Sequence, residues 1–527
     1  MKLFKNGKIY TMDRENRIVD SILVEEGKIV EVGNESELIK KLNGGEIIDL
    51  EGKTVIPAFN DSHVHFVNYG YNKKKIPLYS CRSVEDVVKI GKERFTVYGG
   101  WVLGRGWNQD LFIGEKRMPT REDLDKISTE YPICFTRTCG HVAVVNTKAL
   151  EVCGITKDTK CSGGDVDYEK GTFSENGLYL VYSHIPSPSL EELKTMLIET
   201  QEEFFSMGIT SVQTDDFETF PDKDFGKIIK AYTELEKEGK LKIKVTEQCL
   251  FPELEKIKKF KELGYNFGYG SKNFRIGPIK LLLDGSLGGK TAFLQRPYID
   301  NDKNYGIVTY TVEEFEKVVT LADSLGYQVA VHAIGDGAIK MCVDAFEKLP
   351  DLNNKRHGIV HCQITTNQLM ERMKKLNILA YIQPIFLDYD LHIVEDRVGC
   401  ERSLETYAWN TMRKLNIPMA FGSDSPVDTA DVIKALHCAV NRQDINFRPA
   451  EKWLPNEALP IVDAIKYYTA GGAFASFEEN LKGNLEVGKL ADFIVLSEDI
   501  IEINPEDILK VKVDTTVVEG NIVYNRK

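Results

Sequence analysis

Two histidines stand one residue apart in the segment FNDSHVHF, residues 59–66, which follows an apolar run. In an extended strand, residues i and i+2 share a face, so the imidazoles of His63 and His65 would point the same way. Neutral imidazole is the commonest metal ligand in proteins. Two exposed loop histidines are the alternative explanation. The pair predicts a metal site, provided that the rest of the chain supplies further ligands.

Further polar residues with metal-binding or acid–base chemistry occur in or at the ends of other apolar runs. They are Lys280 in GPIKLLLDG, His332 in VAVHAIGDG, His361 in GIVHCQ and Asp424 in AFGSDSP. In a parallel (β/α)₈ barrel the carboxyl ends of all strands meet at one mouth, where active sites are built. We therefore expect these four residues to converge with the histidine pair.

Lys280 is unusual because it lies inside an apolar strand, where a charged amine is costly to bury. The side chain could extend to the barrel mouth as a plain positioned lysine. Alternatively, a buried amine can lose its proton and add CO₂. The resulting carbamate has two oxygens that can bridge two metal ions, so we predict a carbamate at this position.

The middle of the chain alternates apolar runs with amphipathic helical patterns that end at glycine. The runs cover residues 54–59, 208–214, 242–250, 274–284, 328–335, 358–364, 378–384 and 417–424. Continuous apolar runs are typical of buried parallel strands, and eight βα units predict an α/β fold with a (β/α)₈ TIM-type barrel. A doubly wound open sheet is the alternative.

The two ends of the chain differ from the middle. Short alternating segments broken by Asn-Gly, Glu-Gly and Gly-Gly predict hairpins in both. We predict that residues 1–57 and 480–527 form one composite β-sandwich domain and that residues 58–479 form the barrel domain. Too many residues separate the first two barrel strands for one connection, which predicts an insertion at about 68–185.

Bulk properties exclude several partners. The formal net charge of −13 argues against nucleic acid. No apolar run approaches the roughly 20 residues that cross a bilayer, and the first residues lack the apolar region of a signal peptide. We therefore expect a cytoplasmic protein that acts on a small molecule without membrane association. A homodimer is one assembly that we consider.

The segments PAFNDSHVH, RGWNQD, PTREDLD, IKLLLDGSLGGKTA, HAIGDGAI, VHCQ, QPIF, GSDSPV and GNLEVGKLADFIVL carry a resemblance that covers nearly the whole chain. The chain resembles the YtcJ-like branch of the amidohydrolase superfamily, which includes N-substituted formamide deformylases. The segment HAIGDGAI is highly specific to this family, whereas the HxH pair alone is not. The resemblance also implies a terminal β-sandwich, in agreement with the pattern of the chain ends.

The resemblance implies a centre of two divalent metal ions, with zinc as the expected metal. It places His63, His65 and Asp424 at the more buried ion, His332 and His361 at the second, and carboxylated Lys280 between them. It further implies that a metal-activated hydroxide cleaves a C–N bond of an amide, formamide or cyclic amide. Asp424 would act as general base and then general acid.

Other residues are candidates for oxyanion stabilisation or substrate binding. His141, in TCGH, could stabilise the oxyanion, although a structural histidine is the alternative. Aromatic, amide and guanidinium side chains predict a pocket for an uncharged amide with an apolar substituent; they belong to Trp107, Gln109, Arg137, Gln383 and Phe386. Two other functions stay open, a mononuclear deaminase on the same barrel and a non-catalytic regulatory relative.

Overall fold

An eight-stranded parallel sheet forms the centre of the fold and curves into a nearly closed barrel. The computed structural model describes residues 1–42, 44–138, 140, 142–161, 164–352 and 354–527. The barrel strands, first to eighth, are Phe59–Val64, Ile209–Thr214, Lys244–Leu250, Phe274–Leu282, Val329–Ala333, Gly358–His361, Leu379–Ile382 and Met419–Phe421. Each strand pairs in parallel with the next along the chain. The predicted TIM-type barrel is confirmed, and the doubly wound sheet is excluded.

The first predicted barrel strand was wrong in its bounds. Residues Thr54–Pro57 pair with Lys8–Tyr10 and Phe493–Leu496 in a terminal sheet, and the barrel strand begins only at Phe59. The apolar run continues across both strands because both are buried. His63 therefore lies inside the first barrel strand instead of after it, and only His65 follows the strand.

Helices separate the barrel strands and supply the βα units that the periodicity predicts. They are Leu190–Ser206, Phe225–Lys237, Leu254–Glu262, Val312–Ser324, Asp336–Glu347, Asn367–Lys375, Trp409–Leu415 and Val432–Asn441. The helix Val312–Ser324 begins at a capping box, in which Thr311 and Glu314 satisfy each other's backbone N–H groups. Each helix buries an apolar face, as expected where helices cover a parallel sheet.

Segments from both chain ends build two further sheets. One contains Lys2–Lys5, Ser21–Glu25, Lys28–Gly33 and Glu46–Asp49; the other contains Lys8–Tyr10, Ile18–Val19, Thr54–Pro57, Phe493–Leu496, Val513–Val518 and Asn521–Asn525. They share one core, in which Phe4 packs edge-on against Phe493 at 4.9 Å between ring centroids. The predicted composite β layer from both termini is confirmed, whereas its boundaries at 57 and 480 stay predictions.

The chain divides into two compact units. The first, called unit 1, comprises Met1–Phe66, Ile198–Asp216 and Tyr232–Lys527, and contains the barrel and the terminal sheets. Unit 2 comprises Val67–Leu197 and Phe217–Ala231. The limits of the insertion at about 68–185 stay a prediction.

Unit 2 has a sheet and a core of its own. Its strands are Ile76–Pro77, Val102–Trp107, Ile133–Arg137, Val142–Val145, Val166–Asp167 and Thr172–Ser174. Apolar side chains fill both faces of this sheet, with Phe135 and Val144 on one face and Cys134 and Val145 on the other. Across the described part of the chain, no helix has the length and apolar character to span a bilayer.

Candidate metal centre

The carboxyl ends of the first and eighth barrel strands are joined by backbone hydrogen bonds at the position of the predicted ligands. The N–H of Asp424 donates to the carbonyl of His63, and the N–H of His65 donates to the carbonyl of Ser425, both at 2.8 Å. A Cβ atom at Gly422 would lie 2.5 Å from the backbone N of His63, so only glycine allows this approach. His65 and Ser425, which are 360 residues apart in the sequence, are therefore neighbours in one site.

Three buried side chains form the first candidate ligand group: His63, His361 and Asp424, whose ligand atoms lie within 4.8 Å of one another. His63 Nε2 lies 3.3 Å from Asp424 Oδ1. The rings of His63 and His361 are 5.6 Å apart between centroids. Buried imidazole and carboxylate groups that converge in this way are a donor set for a divalent metal ion.

His63, His65 and Asp215 form the second candidate group. His65 contacts Asp215 Oδ1 through Nδ1 and lies 2.9 Å from Asp424 Oδ1 through Nε2. Asp215 directly follows the second barrel strand, so it occupies the same kind of position as Asp424. The sequence analysis missed it, although the acidic pair after ITSVQT repeats the pattern of a polar residue at a strand end.

Lys280 lies in the fourth barrel strand with a fully buried amine. Its Nζ lies 3.2 Å from His63 Nε2 and 3.1 Å from Asp215 Oδ2. The prediction that Lys280 reaches the histidine cluster is therefore consistent with its position.

His332 lies in the fifth barrel strand, near the centre but outside both three-residue groups. Its ring is 4.5 Å from that of His361, and its Nε2 lies 3.0 Å from the carbonyl of Gly285 and 3.4 Å from Asp284 Oδ1. Asp284 also accepts hydrogen bonds from the backbone N–H groups of Ile334 and Gly335. These contacts hold the segment that follows His332 in place. The role of His332 itself as a metal ligand stays a prediction.

Two glutamines orient the buried imidazoles. Gln248 Oε1 lies 2.8 Å from His63 Nδ1, and Gln383 Oε1 lies 2.8 Å from His361 Nδ1. An amide oxygen accepts a hydrogen bond, so each Nδ1 carries the proton and each Nε2 is left as a lone-pair donor. Sequence reasoning missed Gln248, which also donates to the carbonyl of Ser62 at 3.0 Å.

The charge states of the cluster suit metal binding. Burial and the charge of Lys280 lower the pKa of His63, and burial together with His332 holds the pKa of His361 well below its usual range. Burial opposes ionisation of Asp424, but its close contacts with the imidazoles of His63 and His65 outweigh this effect and hold its pKa well below the ordinary value. Neutral imidazoles and an ionised carboxylate are the ligand forms of these groups.

The pKa of His65 is raised instead. Burial alone would lower it, but the charge and hydrogen bond of Asp215, with Asp424, hold it well above the ordinary value. Asp215 Oδ1 and Asp424 Oδ1 are both buried and receive no well-aligned hydrogen bond from the residues described. Two such carboxylate oxygens beside three imidazoles leave acceptor capacity that a divalent cation would satisfy, so the residues fit a metal ion.

The backbone at two ligand candidates adopts a strained conformation. His361 has φ 76° and Asp424 has φ 58°, both in the left-handed region that non-glycine residues rarely enter. Such conformations persist where the surrounding structure enforces them, and they cluster at functional sites. They support a functional role for the ends of the sixth and eighth strands.

The residues predicted to bind substrate fall in different places. In unit 1, Gln383 contacts His361, and Phe386 stacks on the same imidazole at 5.8 Å between centroids. In unit 2, Trp107 is fully buried and donates from Nε1 to the carbonyl of Phe135 at 3.0 Å. Contact of these residues with substrate stays a prediction.

Two other predicted substrate residues bind each other. Arg137 Nε donates to Gln109 Oε1 at 2.9 Å, and the same guanidinium pairs with Asp110 at 2.7 Å. Their contact with substrate also stays a prediction. His141, the predicted oxyanion donor, lies outside the described residues.

Comparisons with known proteins agree with this geometry. A model of the amidohydrolase family matches residues 46–524. The chain is 30% identical over 534 residues to the putative amidohydrolase YtcJ of Bacillus subtilis, covering 99% of both chains. It is 25% identical to the N-substituted formamide deformylase of Arthrobacter pascens, covering 99% of this chain and 98% of that protein.

A solved structure matches over nearly the whole chain. The crystal structure of an uncharacterized metal-dependent hydrolase from Pyrococcus horikoshii superposes with a TM-score of 0.82 at 31% identity, covering 96% of this chain and 99% of that one. The likeness includes the barrel and the terminal sheets, because so little of either chain is left out.

Proposed function

The chain belongs to the amidohydrolase family, and from this premise we propose that it hydrolyses a C–N bond of a small amide, formamide or cyclic amide. The metal-dependent hydrolase class follows from the family and from the likeness to a metal-dependent hydrolase structure. The observation that carries the proposal is the Asp424 carboxylate, whose Oδ1 lies 3.3 Å from His63 Nε2 and 2.9 Å from His65 Nε2. The bond type and the substrate are the proposed part.

We assign the metal to the ligand set that converges on Asp424. His63, His65 and Asp424 would hold a first divalent ion, with zinc as the proposed metal because it prefers imidazole and carboxylate ligands. Asp215 would accept the proton of His65 Nδ1, leaving Nε2 free to bind. His332 and His361 would hold a second ion, with the Lys280 carbamate between the two ions.

The position of Lys280 supports the carbamate on electrostatic grounds. An ammonium only 3.2 Å from His63 Nε2 would repel a dication bound to that nitrogen. The ammonium must first lose one proton, and addition of CO₂ to the resulting neutral amine releases a second, so that a negative charge replaces the positive one. The carbamate would therefore turn an unfavourable neighbour of the metal into a ligand.

A divalent metal in this site would lower the pKa of a bound water and polarise a substrate carbonyl. Asp424 would accept the proton of the attacking water at a carboxylate oxygen and transfer it to the leaving nitrogen. Gln248 and Gln383 would keep His63 and His361 in the tautomer with a free Nε2. His141 remains our proposed oxyanion donor.

A second candidate function has an observation in its favour. Lys280 Nζ pairs with Asp215 Oδ2 at 3.1 Å, and both side chains are almost completely buried. If this ion pair persists in the active protein, Lys280 is a cation and cannot bridge two metals. The site would then hold one ion, as expected for a mononuclear deaminase on the same barrel.

The deciding experiment combines metal content with a substrate panel. Protein purified without chelators is analysed for metals and then assayed with N-substituted formamides, N-acyl amines, cyclic imides and aminopurines. We expect about two divalent ions per chain and turnover of an amide or formamide. One ion or fewer in active protein, with release of ammonia from an aminopurine, would replace this proposal with the deaminase.

A further inference from the structure

Unit 2 contains a cavity of about 400 Å³, and every residue of its wall belongs to this unit. The size lies within the range of small-molecule sites. The wall combines apolar and aromatic side chains with a few polar groups. Its apolar part consists of Leu103, Ile185, Phe220, Pro221, Tyr71 and Tyr179.

Two cations of this wall have no carboxylate partner within the described residues. Lys75 Nζ donates to the side-chain oxygen of Asn72 at 2.8 Å and lies 4.3 Å from the centroid of the Tyr71 ring. Arg105 projects from the strand Val102–Trp107, and its guanidinium forms no ion pair with the described side chains. Lys75 and Arg105 therefore present basic groups that no carboxylate among the described residues neutralises.

The acidic side chain of the wall does not compensate for them. Glu218 Oε2 accepts from Lys223 Nζ at 2.6 Å, so these two residues of the wall form an ion pair with each other. The cavity is thus left with two cationic groups that no carboxylate of the described residues offsets. Burying charge without a partner is costly, and a ligand anion would offset that cost.

Burial and the neighbouring cation both disfavour the protonated form of Lys75. Burial and the nearby charge of Arg105 lower the pKa of its amine to about 7. An anion placed between the two groups would relieve their mutual repulsion and restore the protonated amine. The geometry of the wall and this repulsion both favour an anionic ligand.

We propose that this cavity binds the carboxylate of a small molecule with an apolar or aromatic body, with Lys75 and Arg105 binding the carboxylate oxygens. The planar guanidinium of Arg105 matches the two oxygens of a carboxylate, and the lysine adds a point charge. The aromatic and aliphatic wall would cover the body of the ligand. The carboxylate belongs either to the substrate of the enzyme or to a separate ligand. In both cases, binding at this site can be measured without the proposed reaction.

Calorimetric titration of the full-length protein tests the proposal with benzoate, phenylacetate and hexanoate as probes. Benzamide has the shape of benzoate without its charge, and we expect it to bind at least about tenfold more weakly, the scale of a lost charged hydrogen bond. Failure of all three carboxylates to bind, or equal binding of benzamide and benzoate, would overturn the proposal.

Variants assign the binding to the two cations. Lys75→Met and Arg105→Met should each weaken carboxylate binding about tenfold or more. Lys89→Met removes the same charge from an exposed side chain that pairs weakly with Glu93 at 3.9 Å, and it should leave the affinity unchanged. Equal affinities in all three variants would contradict the assignment.

A measurement on the unmodified sequence guards against variants that fail to fold. An amine-reactive acetylating reagent is applied near neutral pH, and labelling of Lys75 is followed by mass spectrometry. Benzoate should protect Lys75 and benzamide should not. Labelling that is insensitive to saturating benzoate would refute the role of Lys75.

The source of the carboxylate is distinguished by kinetics. If it belongs to the substrate, benzoate competes with turnover, and Arg105→Met raises KM for carboxylated amides but not for neutral ones. If it belongs to a separate ligand, benzoate leaves KM unchanged while it still binds. Calorimetry detects binding without turnover, so failure of the proposed reaction would not be mistaken for failure of this site.

Discussion

The ion pair between Asp215 and Lys280 gives a quantitative test of the centre. Their side chains are 2% and 1% exposed, and Lys280 Nζ lies 3.1 Å from Asp215 Oδ2. Removing one partner of a buried pair leaves an uncompensated charge and typically costs about 3–5 kcal/mol of unfolding free energy. Asp215→Asn and Lys280→Met should each destabilise the metal-depleted protein by this amount, whereas the double variant removes both charges of the pair.

The assay is a double-mutant cycle in chelator-treated protein, by urea denaturation followed with circular dichroism. We expect the double variant to lose less than the sum of the single losses, with a coupling free energy of about 2 kcal/mol or more. The pair Lys244 and Asp492, 3.0 Å apart and also buried, provides a control cycle. Its coupling should not depend on metal. Additive losses for Asp215 and Lys280 would refute the pairing.

The same cycle in metal-loaded, CO₂-equilibrated protein separates the two proposed functions. A carbamate on Lys280 and the carboxylate of Asp215 are both anions, so their coupling should fall towards zero or change sign. A coupling that stays as favourable as in the metal-depleted protein would mean that Lys280 remains an ammonium. That result would remove the bridging carbamate and favour the mononuclear centre.

Three further predictions follow from the site and the unit 2 cavity. Asp424→Asn should keep bound metal but lose at least about two orders of magnitude in kcat, and near-full activity in a kinetic assay would remove Asp424 from the mechanism. Lys280→Ala should lose the second metal and most activity, and short carboxylates should restore part of both; a bare Lys280 amine in a crystal structure of the fully metallated, active enzyme would contradict this. Burial and Arg105 lower the pKa of Lys75 to about 7. Burial raises the pKa of the neighbouring Cys134 to about 12, so this thiol stays neutral between pH 7 and pH 10. In the unfolded chain a lysine has its ordinary pKa, so the unfolded chain keeps the Lys75 proton up to about pH 10. The folded protein releases this proton near pH 7, so Lys75 destabilises the fold most below pH 7. Lys75→Met should raise the melting temperature below pH 7 and have a vanishing effect towards pH 10; a pH-independent shift in calorimetry would refute the altered titration.

The sequence by itself determined the barrel and the ligand candidates at its mouth. Continuous apolar runs alternating with amphipathic helices are local patterns, and they require no knowledge of distant contacts. Once eight βα units are recognised, the carboxyl ends of parallel strands must meet. His63, Lys280, His361 and Asp424 could therefore be placed together from their positions at strand ends or within strands.

Other features were decided only by the tertiary structure. Strand bounds between residues 54 and 64 depend on which sheet supplies the partner strand, and both strands are buried, so composition does not separate them. The hydrogen bond between His63 and Gln248 joins residues 185 positions apart, and that between His361 and Gln383 joins the last residue of the sixth strand to the residue that follows the seventh. A glutamine in a strand carries no local sign of such a partner.

Asp215 shows the same limit for a charged residue. Its place after the second strand could be predicted from the sequence. Its importance rests on its contacts with His65, which follows the first strand, and Lys280, which lies in the fourth. The cavity of unit 2 is a similar case, because Lys75 and Arg105 are unremarkable in the sequence and only the fold encloses them in one cavity without a carboxylate partner among the described residues. Local patterns determine where side chains stand along strands and helices, whereas pairing, burial and charge balance depend on which distant residues the fold brings into contact.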